Sequence, residues 1–188
     1  AKTVGCFSRC LFRQWWGACC RRDEEIVNPT MGIRLRRTAA FAALLIGRGN
    51  IRVLSEEHPD IRVSRAKILS DVTHEGEPEA AVWDCYRRLL TTRLEAMQFF
   101  GAAYYHVDFF AGLRALVLTY PLVLASARLH AAAAGRRRIE EVDVLYAVSA
   151  IDHTHGRSPL LQARVWRTVE GFFWGSRFAA LLNSLGWE

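Results

Sequence analysis

The sequence predicts an all-α fold: an irregular multi-helix bundle with a long polar connection after the first two helices. Three observations carry that expectation. Apolar residues recur at three- and four-residue spacing along nearly the whole chain. Period-two alternation nowhere runs long enough to predict a strand of consequence. Caps and breakers fall between the periodic segments, at Asn28-Pro29, Gly101, Asp108, Gly135 and Gly175-Ser176. With 188 residues the chain is read as one domain overall, divided into a helical pair over 1–48, a polar connection over 49–76 and a main bundle over 77–188.

Each element follows from its residues. Residues 6–21 set Phe7, Cys10, Leu11 and Trp15 on one helical stripe, and residues 32–47 make a second helix, basic in its first turns. Residues 48–79 gather clustered acids and leave room for at most one short helix near Ser64–Leu69. A long helix is expected from Glu77 to Phe100, with Pro78 in its first turn and Gly101 ending it. Asp108 then caps a helix running to about Ala134, which Pro121 should kink, and Gly135 closes it. Glu140, Glu141 and Asp143 open the next helix with the charge its dipole favours, and it runs to Asp152. Two final helices are expected over 159–173 and 176–185.

Composition narrows the class. Hydrophobic residues are 51 % and charged residues 23 %, which is globular usage and excludes a mainly disordered chain. The net charge is +6, and Lys2 and Lys67 are the only lysines. Arginine is either a signature of genomic base composition or a choice of the planar fork that grips phosphate and carboxylate. Five cysteines without a CxxC pair predict buried free thiols in a reducing compartment; a metal site from Cys6, Cys10, Cys19 and Cys20 is the lesser reading. The uncharged run Ala115–Ala127 lies between Arg114 and Arg128, contains Pro121 and is shorter than the roughly 20 residues of a spanning helix. Met31–Gly47 imitates a signal peptide but is internal. A cytoplasmic protein with no membrane span is therefore expected.

Three constellations carry polar chemistry. The first is Asp152-His153-Thr154-His155, at a helix junction. Its residue types suit an acid–base pair or a metal, and equally a helix end followed by Ser158-Pro159 as the next cap. The second is Gln98 through His106, where Tyr104 and Tyr105 belong to an aromatic corner that either lines a pocket or fills the core. Together with Arg114 and Tyr120, these residues form the candidate pocket or partner surface: Gln98, Tyr104, Tyr105, Arg114, Tyr120, Asp152, His153 and His155. The third is Arg136, Arg137 and Arg138, which with Arg34, Arg36 and Arg37 make a candidate anion or nucleic-acid contact. No phosphate-binding loop, GxSxG, HExxH or GxGxxG is present. No catalytic residue and no metal ligand is assigned.

The runs FRQWWGACCRRD, LEAMQFFG, FFAGLRALVLTYPLVLASAR and EEVDVLYAVSAIDHTHGRSPLL, in that order, resemble the helical C-terminal region of YkgJ-type cysteine-cluster proteins. That grouping includes the flagellin lysine N-methylases. The resemblance implies an upstream cysteine-rich segment that binds iron or zinc, and in the methylases methyl transfer from S-adenosylmethionine to a protein lysine. That cysteine segment is missing here, and Cys19-Cys20 lies within a helical run, so no ligand is carried over. No cofactor is expected in this chain, and iron or zinc only with such an upstream segment. The expected function is a non-catalytic accessory helical domain that shapes a substrate or partner surface, the partner being another protein or the upstream domain. Alternatives are S-adenosylmethionine-dependent lysine methylation and an arginine-rich nucleic-acid-binding module.

Overall fold

The computed structural model describes residues 12, 16, 30–32, 35, 50–52, 62–64, 80–104, 106–156, 164–174 and 178. Among these, four regular helices carry the architecture: α1 (Asp84–Glu95), α2 (Phe109–Ala133), α3 (Glu141–Ile151) and α4 (Arg164–Phe172). The fold is all-α. A short antiparallel pair, β1 (Asn50–Arg52) and β2 (Arg62–Ser64), lies in the polar connection, with Ile51 opposite Val63.

The bundle is built around α2. Leu118, Leu122, Val123, Ala127 and Ala131 are sealed from solvent, and buried residues occur all round the helix. An apolar helix of that kind is stable only as the centre of a core. It packs most extensively on α3, and also on α4 and β2. Pro121 lies buried inside it, and the helix continues through the proline as one element of 25 residues. Among the described residues, α2 is the one helix long and apolar enough to cross a membrane. The uncharged run Ala115–Ala127 is itself shorter than a span, and the length comes from the whole helix, which extends past Arg114 and Arg128 as Asp108 and Gly135 predict. Most of its apolar stretch is buried against the other elements.

Local chemistry sets the ends. The Asp108 carboxylate accepts the Ala111 N–H at 2.9 Å and caps α2, as its sequence predicts. At the other end Gly135 takes a φ of +74°, while the Arg136 N–H reaches the Ala131 carbonyl at 2.8 Å and the Gly135 N–H reaches Ala132 at 3.1 Å. Those two bonds are the Schellman closure that a glycine after a helix allows.

Helix α1 departs from expectation. It begins at Asp84 after a 3-10 turn over Ala80–Trp83, and it ends at Glu95 rather than Phe100. The same closure forms around Met97, at a φ of +53°: the Gln98 N–H bonds Arg93 and the Met97 N–H bonds Leu94. Leu94 and Met97, which follow Tyr86 and Leu90 at helical core spacing, are exposed. In the N-terminal region, Phe12 and Trp16 are helical and buried, and the Trp16 indole donates to Ser126 Oγ at 3.0 Å. Phe7, Cys10, Leu11 and Trp15 lie outside the described residues, as does everything expected after residue 178. Ser64, expected to start a short helix, is in β2.

Candidate functional site

After Ile151 the backbone does not stop. It widens into a five-residue π-helical turn, Asp152–Gly156, a conformation found mostly in short pieces and often at functional sites. The turn brings Asp152 against the last turn of α1, where the Arg93 guanidinium donates to Asp152 Oδ1. Arg93 also lies over the Tyr104 ring, 5.9 Å from its centroid, and reaches the Gln98 carbonyl at 3.4 Å. One arginine thus ties α1, the 96–104 turn and the π turn together. The Arg93–Asp152 pair, with Tyr104, borders a narrow cleft walled by Leu116, Val123 and Ile151, with room for about one water.

Deeper in, His155 Nε2 faces Glu170 Oε1 of α4 at 3.8 Å, and both side chains are buried. The separation is too long for a hydrogen bond. Burial pushes the His155 imidazole down to about 4; a backbone hydrogen bond involving Ala115 opposes the drop and the Arg93 charge adds to it. Burial raises Glu170 to about 7, against the pull of Arg114 and Arg167. A neutral imidazole therefore faces a carboxyl that titrates near neutrality, and each is driven towards its uncharged form.

The two titrations act in opposite directions. Glu170 binds its proton more tightly when folded, so its contribution is greatest at low pH and is lost as pH rises from 4.5 through about 7. His155 is held neutral when folded, so its contribution grows as pH rises from about 4 to 6.5. The expected result for Glu170→Gln is a stability difference from wild type that moves in the variant's favour by up to about 3 kcal/mol between the ordinary carboxyl range and neutrality. Urea unfolding across that range measures it. A difference that does not change with pH would refute the assignment.

The remaining sequence candidates disperse. Arg114 is half-buried near Glu170, and its Nε has no hydrogen-bond partner. Tyr120 packs with Trp83 and Tyr86 at 5.5 and 5.7 Å between ring centroids. Gln98 and His153 are exposed. Arg136 is held by Asp143 and by Glu140, the latter at 3.6 Å, while Arg137 and Arg138 are exposed. Tyr105, Arg34, Arg36 and Arg37 lie outside the described residues. Arg93 and Glu170 are the members that sequence reasoning missed.

Above the cleft the aromatic corner is a ridge of four rings. Phe99 contacts Phe100 at 5.0 Å and Phe109 at 5.5 Å, and Phe109 meets Phe110 edge-on at 5.5 Å. Phe99 is buried, whereas Phe110 is 72 % exposed, beside exposed Phe109 in the chain; Leu94 at the end of α1 and Met97 on the turn leading into the ridge are exposed. Gly112 allows α2 to approach this turn: a Cβ there would overlap the Phe99 carbonyl oxygen and lie 2.8 Å from its carbon. Among the described residues no group of three or more His, Cys, Asp or Glu side chains is placed to hold a metal ion. Compared with known proteins, the chain matches no family model, no curated protein and no solved structure.

Proposed function

We propose that this chain is a cytoplasmic, non-catalytic accessory domain of a cysteine-cluster type protein, in which the helical bundle presents a docking surface to the metal-binding segment. The observation that carries this reading is the ridge running from buried Phe99 to exposed Phe110, anchored in the bundle at one end and open to solvent at the other. Aromatic anchors on a rigid base are the usual centres of binding energy at protein interfaces. The half-buried Arg93–Asp152 pair borders the same cleft as Phe99 and braces the ridge from that side. Glu170 and His155 are too enclosed to meet a substrate, which favours an interaction role over methyl transfer.

The test is association of the chain with a separately made cysteine-cluster segment. Phe110→Ser is expected to leave the fold intact, because the side chain is exposed, and to weaken binding by roughly tenfold or more. Absence of any association with the wild-type chain would defeat the proposal.

A further inference from the structure

Three of the described arginines bond carboxylates: Arg87 bonds Asp84 at 2.6 Å, Arg93 bonds Asp152, and Arg136 bonds Asp143. Arg128 is different. It projects from the C-terminal third of α2 and is 7 % exposed, between Ala127 and Leu129, which are buried with it. Its Nε and Nη1 are both shut off from water and have no hydrogen-bond partner. No carboxylate among the described residues pairs with it.

This is an expensive arrangement. At those two nitrogens the guanidinium loses its hydration and gains no bond in return, and native interiors rarely keep such groups unpaired. The preceding turn offers Leu124 and Ala125 and the following turn Ala131 and Ala132, so the adjacent turns supply no side-chain acceptor. The electrostatic neighbour that favours its charge is the Tyr120 phenol, two turns earlier on α2, while burial lowers the arginine's affinity for its proton. A guanidinium stays ionised in proteins, so relief must come from an acceptor rather than from proton loss. The acceptor whose lone pairs match a planar fork is an oxyanion.

We infer that Arg128 is the receptor for an oxyanion, a phosphate or carboxylate group, that binds into the bundle against the C-terminal third of α2. The site is independent of the aromatic ridge and of the docking role proposed above. It requires only the fork of Arg128, so exchange of that one side chain removes the site without touching the ridge.

Thermal unfolding of the full chain tests this in inorganic phosphate, in acetate and in chloride at neutral pH and equal ionic strength. Phosphate or acetate is expected to raise the wild-type Tm over chloride by roughly 5 °C at saturation. A response to phosphate alone identifies phosphate as the ligand chemistry, and a response to both identifies an oxyanion site that accepts carboxylate. In Arg128→Met neither anion should act, and in chloride this variant should be at least as stable as wild type, since a lone buried charge is replaced by an apolar side chain. Arg128→Lys keeps the charge without the fork and should show a reduced response, which preserves the test if the methionine variant does not fold. No anion effect on wild type, an equal effect on the variants, or marked destabilisation of Arg128→Met in chloride would each overturn the assignment.

Discussion

Asp143→Ala is expected to lower stability by about 3–5 kcal/mol at neutral pH, measured by urea unfolding. The carboxylate is fully buried, at the turn between α2 and α3, and three donors converge on it. His130 Nδ1 lies 2.6 Å from Oδ1, the Arg136 guanidinium donates to the same oxygen, and the Glu140 N–H reaches Oδ2 at 2.8 Å. Burial alone would raise its pKa, but those bonds and the Arg136 charge outweigh burial and hold it below the ordinary carboxylate range. Alanine removes the cap from the first turn of α3, leaves Arg136 with only its longer contact to Glu140, and frees His130, whose ring is stacked on Tyr146 at 4.3 Å. The linkage runs in one direction: a depressed carboxyl stabilises the fold above its unfolded pKa of 3.8, and that contribution is lost as pH falls through the lower folded value. Asp143→Asn and wild type should therefore converge in strong acid. A loss below about 1 kcal/mol at neutral pH would mean that the cluster is not formed.

What the sequence disclosed was local, and what it concealed was long-range. The Asp108 cap, the Gly135 closure and the acidic start of α3 are each set by residues within one turn, so spacing and residue type suffice to place them. The end of α1 was misplaced because its closure falls on Met97, where a side chain tolerates a conformation that favours glycine, and Gly101 four residues later was the stronger signal. The β1–β2 pair was missed because three-residue strands are too short for alternation to show. At the candidate site, Asp152 and His155 were legible as a polar cluster at a junction. Their partners were not: Arg93 lies 59 positions from Asp152, and a single charge on an amphipathic helix reads as a solvated face until the packing is known. Glu170 is the same case on α4. The candidate residues differ in depth in a way spacing does not disclose: Tyr104 and His155 are buried, whereas Gln98 and His153 are exposed.

Phe173→Ala is expected to lower stability by about 3–5 kcal/mol, on the scale of other full truncations of a core aromatic ring. Phe173 is the largest wholly buried side chain among the described residues and follows the last residue of α4. Its ring meets Phe12 edge-on at 6.0 Å and Phe172 at 5.4 Å, within the core cluster that also holds Leu122 and Ile151. It therefore joins the N-terminal region to α4. A double-mutant cycle with Phe12→Ala should give a coupling of about 0.5–1.5 kcal/mol, the range for an edge-on aromatic pair, and additive losses would show that the rings do not meet. The same residue accounts for the unusual carboxyl beside it. The Phe173 N–H bonds the Glu170 carbonyl at 3.2 Å, so the turn that buries the ring also carries Glu170 into the interior. Loosening that turn readmits water to Glu170, and in Phe173→Ala its pKa should fall from about 7 back towards 4.5. Titration of the Glu170 carboxyl by NMR reads this directly. An unchanged pKa in a folded Phe173→Ala variant would separate the burial of the carboxyl from the packing of the ring.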